Sequence, residues 1–181
     1  NHHAPHDRRT GGPDLGQLLN LGRTALAIHT SRSTTLSNHP VSVQIGIASK
    51  CNLACEFCYV IRPDKSLSEA YVSPKCFAAL LEHRQLRDCI RVGLSGGEPF
   101  LHPEIDELLR IGRSRHKILT VYTNGLLLNR RGMKIVEDPP DAVCMSIYPE
   151  HAEKQAASLK QWLAAIPLAK RPVVICSVIV S

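Results

Sequence analysis

Cys51-Asn52-Leu53-Ala54-Cys55-Glu56-Phe57-Cys58-Tyr59 sets three cysteines at C-x3-C-x2-C spacing. A strand-like segment runs directly into it, with Val41, Val43, Ile45 and Ile47 alternating with Ser42, Gln44 and Gly46. Three thiolates from one short loop can hold a metal or a cluster, but they cannot close a four-coordinate site. An iron–sulfur cube takes four ligands, so three cysteines leave one iron open. An open position separates a site that does chemistry from one that only braces a fold, a rule best documented for zinc. A zinc site would draw its fourth ligand from elsewhere, with His83 and His102 available in principle. A cube built only for electron transfer needs a fourth cysteine, often followed by Pro. None of Cys76, Cys89, Cys144 and Cys176 is so placed; each sits alone in an apolar segment and reads as a small buried hydrophobe.

Working outward, strand and helix patterns alternate from Val41. Strands are predicted at 41–47, 90–95, 118–123, 142–148 and 173–180. One helix starts at Ser73-Pro74, with Ser as N-cap and Pro at the first helical position, and carries Phe77, Leu80 and Leu81. Another follows His102-Pro103 with Ile105, Leu108 and Leu109, and a shorter one lies near 129–137. The last runs from about Glu150 to Ile166, presenting Ala156, Leu159 and Leu163, with Pro167 beyond its end. Alternating βα units imply a parallel sheet with right-handed crossovers. A parallel sheet covered on both faces is apolar on both, yet here one face is apolar and the other polar or small. Ile90, Val92 and Leu94 alternate with Arg91, Gly93 and Ser95, and Val143, Met145 and Ile147 with Cys144, Ser146 and Tyr148. That pattern predicts an outer helix layer on one face and a cavity on the other, as in a curved, partly open barrel. The fifth strand departs from it, being apolar on both faces.

Two strand ends carry further signals. Gly96-Gly97-Glu98-Pro99 follows the second strand. Backbone without side chains lets a ligand approach closely there, although Gly-Gly alone would be an ordinary turn; zinc in the cysteine triplet leaves the motif unexplained. Thr123-Asn124-Gly125 ends the third strand, where sheet enzymes bind ligands.

These motifs together resemble the radical S-adenosylmethionine (radical SAM) superfamily. The cysteine triplet with Phe57 before its last member, Gly96-Gly97-Glu98-Pro99, Thr123-Asn124-Gly125 and Ser146 on the fourth strand occur in that family's order and spacing, over roughly residues 41 to 181. The resemblance implies a 4Fe–4S cluster on Cys51, Cys55 and Cys58, with S-adenosylmethionine chelating the open iron. It implies reductive cleavage to a 5′-deoxyadenosyl radical that abstracts hydrogen from a peptide or small-molecule substrate, with flavodoxin or ferredoxin as electron donor. It places Phe57 against adenine, Glu98 against the ammonium group, Ser146 on the ribose, and Gly96, Gly97, Pro99, Thr123 and Asn124 around the cofactor. The family often has an acidic residue where this chain has Tyr148. No catalytic residue beyond these binding groups is assigned. The fold implied is α/β, a partial (β/α)6-type radical SAM barrel reaching about five βα units. The sixth strand would then come from a further segment or a second chain. A non-catalytic, cluster-binding partner chain remains an alternative, as does a zinc-binding module.

The remaining residues bound these readings. At 181 residues the chain is one domain on length, and 44% apolar residues suffice for a moderate core. Residues 1–40 read as an extension: a His-rich end, a helix capped by Asp14 and carrying Leu15, Leu18, Leu19 and Leu26, and a Ser/Thr-rich linker from Thr30 to Pro40. Residues 41–181 form the core domain. The formal net charge is +6, but the densest basic run, Arg113-Ser114-Arg115-His116-Lys117, reads as a solvated turn, so nucleic acid is not the expected partner. No apolar run approaches the ~20 residues that span a bilayer, and seven cysteines without a signal peptide suit a reducing cytoplasm. No second cysteine cluster is present for an auxiliary cube.

Overall fold

The computed structural model describes residues 13–30, 39–56, 58 and 69–179. A first helix, α1 (Leu15–Thr30), precedes five strands, β1 (Ser42–Ala48), β2 (Arg91–Gly96), β3 (Ile118–Thr123), β4 (Ala142–Ile147) and β5 (Val173–Val178). Helices α2 (Pro74–Glu82), α3 (Ile105–Ser114) and α4 (Ala152–Ala165) lie between β1 and β2, β2 and β3, and β4 and β5. The strands are all parallel, in the order β1-β2-β3-β4-β5. Every strand thus lies beside the one before it, the winding of a barrel wall rather than of a doubly wound sheet.

The helix starts follow from local chemistry. Ser73 Oγ accepts from Cys76 N at 3.2 Å, with Pro74 next. Asp14 and Gln17 form a reciprocal capping box, Gln17 N to Asp14 Oδ1 at 2.9 Å and Asp14 N to Gln17 Oε1 at 3.1 Å. The apolar strand face packs Val92, Leu94, Leu119, Val121, Val143 and Met145 against the helices. The opposite face carries Gln44, Gly46, Gly93, Ser95, Thr120 and Tyr122, as the alternation predicts. Gly93 is required there, because a β-carbon would lie 2.7 Å from the Tyr122 ring.

Several local expectations are corrected. The stretch near 129–137 forms only a 3-10 turn, Gly132–Ile135, whose Gly132 carbonyl accepts the buried Trp162 indole N–H at 2.9 Å. Helix α4 buries Gln155, Ser158 and Trp162, while Ala156 is exposed and Leu159 and Leu163 only flank the core. Of the four lone cysteines, Cys89 is buried and Cys144 half-buried, but Cys76 and Cys176 are exposed. The basic run is not simply solvated. Arg113 pairs with Asp138 at 2.8 Å, Arg115 pairs with Glu82, and buried Lys117 donates to the carbonyls of Arg87 and Cys89 at 2.5 and 2.6 Å.

The N-terminal helix inverts the usual arrangement. Gln17 is fully buried, whereas Leu15 is 71% exposed, and Leu18, Leu19 and Leu26 are exposed too. The reason lies in the backbone below the sheet. Gln17 Nε2 donates to the carbonyls of Cys89 and His116, and Asn20 Nδ2 to those of Pro40 and Asp88. These carbonyls lie where the chain enters β1, β2 and β3, and satisfying buried carbonyls outweighs packing a leucine stripe. Strand β5 is exposed on both faces, at Val173 and Ile175 on one and Val178 on the other.

This arrangement makes an unusual mutational prediction. Gln17→Leu should destabilise the fold by about 1–3 kcal/mol, since buried carbonyls lose their donor. Leu18→Ser should change stability by no more than about 0.5 kcal/mol. Urea midpoints check both, and the reverse ranking would mean that α1 docks through its leucines.

Candidate functional site

The chain leaves β1 through a register slip between Gly46 and Ala48. After it, Ile47's carbonyl accepts from Val72 N at 3.0 Å, and Ser49 N donates to the Ala70 carbonyl at 3.0 Å. A short strap at 70–72 therefore covers the outer edge of β1 at its exit. Bulges of this kind re-aim a strand at the rim of a sheet. The next residues are the cysteine loop.

Gly96 and Gly97 hold that exit from the other side. Gly96 adopts φ +112°, and a β-carbon on it would land on the Ala48 carbonyl; one on Gly97 would land on the Lys50 carbonyl. Gly97 N instead donates to Ala48 O at 2.7 Å and Glu98 N to Lys50 O at 2.8 Å. The close approach expected of a ligand is thus made by the backbone that feeds Cys51.

Glu98 is fully buried. Its Oε1 accepts from Phe100 N at 3.1 Å and from the Thr123 hydroxyl at 2.7 Å, and its Oε2 accepts from Asn124 N at 2.9 Å. Burial pushes its carboxyl up, while the donors from Asn124, Thr123 and Phe100 pull it back. The carboxylate faces these three protein donors and fastens the β2 loop to the β3 loop.

The β3 loop continues the chain of contacts. Asn124 Nδ2 donates to Asn52 Oδ1 at 2.8 Å and lies 3.8 Å from Cys51 Sγ. Gly125, at φ +75°, packs against Met145, leaving no room for a side chain. The buried Gln155 of α4 then ties two further rim segments. Its Nε2 donates to the carbonyls of Asn124 (2.6 Å) and Ser146 (2.8 Å), and its Oε1 accepts from Tyr148 N at 3.0 Å. Burial first, then the nearby Cys55 and the charges of the three cysteines, push Tyr148 up to about 12. Sequence reasoning missed Gln155 altogether; its one signal is a glutamine in register with Trp162 on α4.

The structure thus brings Cys51, Gly96, Gly97, Glu98, Thr123 and Asn124 into one bonded set at the strand ends, joined through Gln155 to Ser146 and Tyr148. Pro99 is buried and begins the short 3-10 turn after Glu98. Ser146 lies on the cavity face of β4, half-buried. Phe57 lies outside the described residues. His102 is not a metal ligand, since its Nε2 bonds the Val72 carbonyl at 2.9 Å and its Nδ1 accepts from Glu104 N at 3.0 Å. His83 sits at the C-terminal cap of α2, where its Nδ1 accepts from Gln85 N. Beside the rim, a cleft of about 630 Å³ opens between the polar face of β1 and β2 and the strap, lined by Gln44, Gly46, Ser95 and Tyr71 among others.

Among the described residues, no three His, Cys, Asp or Glu side chains converge on a single metal ion. In a cube each thiolate binds its own iron, so its sulfurs do not meet at one point. The donor set also fits in its chemistry. Burial pushes the Cys51 thiol up, and Leu53 N donates to its sulfur at 3.4 Å. Half-buried with a backbone donor beside its sulfur, Cys51 is suited to binding iron, and a coordinated metal deprotonates a thiol outright.

Comparison with known proteins agrees with this reading. The family model described as the radical SAM superfamily matches residues 45–171. A GTP 3′,8-cyclase of Chlorobaculum tepidum is 37% identical over 108 residues, 58% of this chain and 32% of that protein. The chain thus spans about a third of the length of such curated relatives. Among solved structures, BtrN in complex with AdoMet and 2-DOIA superposes with a TM-score of 0.63 at 18% identity, covering 79% of this chain and 58% of that one. Streptococcus suis SuiB bound to its precursor peptide SuiA gives 0.60 at 18% identity, covering 87% and 36%. At such identities the two structures speak for the fold: a parallel five-stranded sheet with intervening helices that matches part of a radical SAM barrel.

The buried carboxylate yields a direct test. In Glu98→Gln the amide must face either Asn124 N or Phe100 N, leaving one backbone N–H without an acceptor. The expected loss is about 1–3 kcal/mol in denaturant unfolding, and an unchanged midpoint would contradict the assigned contacts.

Proposed function

The chain belongs to the radical SAM superfamily, and from that premise we propose that it carries a 4Fe–4S cluster on Cys51, Cys55 and Cys58 and works as a radical SAM enzyme. The observation that supports this best is the bonded rim: loops from four consecutive strands are tied together around a three-thiol loop, and Asn124 from one of them reaches the Cys51 sulfur. When bound, the cluster and S-adenosylmethionine supply reductive cleavage of the sulfonium and abstraction of hydrogen from a substrate.

The protein's own residues bind, orient and enclose. The three thiolates are the protein ligands of the cluster. Gly96 and Gly97 keep the rim low and lock the exit of β1, so the thiolate loop starts from a fixed point. Glu98, Thr123 and Pro99 position that rim from beneath. Asn124 faces the thiolate loop from β3, and Ser146, with its hydroxyl on the cavity face, is the candidate for ribose contact. Phe57 is the candidate for stacking on adenine. The cleft beside the strap borders this rim and is open to a substrate, a peptide or small molecule, with flavodoxin or ferredoxin as the source of electrons. Residues 41–181 constitute the barrel part and 1–40 an extension that closes its lower end through α1. A cytoplasmic setting suits the thiolate-bound cluster, and no described helix is long and apolar enough to cross a membrane.

Anaerobic reconstitution tests the reading. The chain should take up about four irons with matching sulfide and release 5′-deoxyadenosine on reduction with S-adenosylmethionine. Cys55→Ala should lose the cluster, whereas Cys76→Ala and Cys176→Ala, both at exposed positions, should keep it. A cluster without cleavage would instead favour a non-catalytic partner chain, and zinc without sulfide a zinc-binding module.

A further inference from the structure

The polar face of the sheet carries one full charge. Arg91 opens β2 on that face, in register with Ser42 of β1 and Ile118 of β3. Its side chain leans up the sheet rather than out of its lower end. Nε donates to Thr120 Oγ1 at 3.1 Å, and Thr120 stands one layer higher, opposite Gly93. Thr120 is buried there and Arg91 half-buried. At Gly93 the missing side chain lets two neutral donors close in. A β-carbon on it would meet the Tyr122 ring at 2.7 Å and the Gln44 stem at 3.5 Å. Gln44 also lines the cleft of about 630 Å³ beside the strap.

A charge drawn off solvent is ordinarily paired. Arg91 has no such partner: among the described residues no carboxylate forms an ion pair with it, and this face of β1 to β5 bears no Asp or Glu. With Nε on Thr120, the two terminal nitrogens form a fork of the kind that takes oxyanions through paired charge-assisted hydrogen bonds. Gln44 and Tyr122 add an amide and a hydroxyl from the strands on either side. Donors from three strands suit the three oxygens of a phosphate better than the two of a carboxylate. We propose that Arg91, with Gln44 and Tyr122, seats a phosphate group carried by a small-molecule substrate. This assignment rests on the enzyme reading above and narrows its substrate class. The guanidinium stands level with Gly93, three residues below Gly96. At about 3.3 Å per residue, the phosphate lies roughly 10 Å beneath the rim that bears the thiols. The reacting carbon of the substrate then sits about that far from its phosphate. The three side chains bind and orient, and none touches the reacting bond.

Binding can be measured apart from turnover. Isothermal titration of the full chain with inorganic pyrophosphate should show one site. Arg91→Gln should weaken it by about tenfold to a hundredfold, the loss of a charge-assisted pair. Arg91→Lys keeps the charge without the fork and should fall in between, and Tyr122→Phe should cost about threefold. Lys160→Gln removes an equal charge from the exposed surface of α4 and should leave binding unchanged. Succinate should bind more weakly than pyrophosphate. A wild-type chain that does not bind pyrophosphate overturns the proposal, as does an Arg91→Gln protein that binds it equally well. So does a Lys160→Gln loss as large as that of Arg91→Gln, which would mean diffuse attraction to a basic surface. Succinate binding as tightly as pyrophosphate would replace phosphate by carboxylate and overturn the substrate class. Should circular dichroism show Arg91→Gln unfolded, the Arg91→Lys and Tyr122→Phe titrations decide in its place. After reconstitution, iron and sulfide should match the wild type in every variant. If the wild-type chain takes up neither, the cluster assignment fails by that analysis, while the pyrophosphate titration still reports on the seat.

Discussion

The site depends on one buried carboxylate. Glu98 lies beneath the rim with no access to water, and three donors converge on it from Phe100, Thr123 and Asn124. A carboxylate taken out of water costs several kcal/mol unless it is paired or fully hydrogen-bonded. The three donors supply that compensation, and two of them belong to the next strand's loop. The β2 and β3 loops therefore cannot separate without exposing an unsatisfied charge. Burial of the charge, costly in itself, makes the geometry single-valued.

From that point the constraint spreads in both directions. Backward, Glu98 N and Gly97 N hold the carbonyls of Lys50 and Ala48, so the cysteine loop begins where the glycines allow. Forward, Asn124 passes the constraint through Gln155 to Ser146 and Tyr148. The start of the loop that bears the thiols is thus anchored at Lys50, Cys51 and Asn52 by groups from β2 and β3. Networks of satisfied buried polar groups rigidify beyond the sum of their pairs. A cofactor that must be reduced and cleaved in one fixed orientation needs such a frame, because orientation is the part of the chemistry that the protein supplies.

Much of this was legible in the sequence, and for physical reasons. The cysteine spacing, the two-residue alternation of Val92 and Leu94 with Gly93 and Ser95, and the caps at Asp14 and Ser73 are local features that survive without tertiary context. The strand order and the polar inner face follow from them. What could not be read was which group satisfies which. Glycine at 96 and 97 signals a close approach but not the approaching partner, which turned out to be the chain itself. A glutamate after two glycines signals a carboxylate but not its burial. Leucines at helical spacing in α1 signal an apolar stripe, yet the carbonyls below the strands drew Gln17 and Asn20 inward instead. Gln155 is the same lesson on α4, where Ala156, Leu159 and Leu163 mark a plausible stripe and a neighbouring face is buried. In each case the competing demand was a buried backbone group at a distant position.

The central claim is that three thiolates from one loop hold a cube whose remaining iron is left for the cofactor. Mössbauer spectroscopy of the reconstituted chain tests it most directly, recorded with and without S-adenosylmethionine. The account predicts a single iron site distinct from the others, whose isomer shift changes when the cofactor is added. Irons that all stay unchanged on addition, or a protein that binds no iron at all, would contradict it.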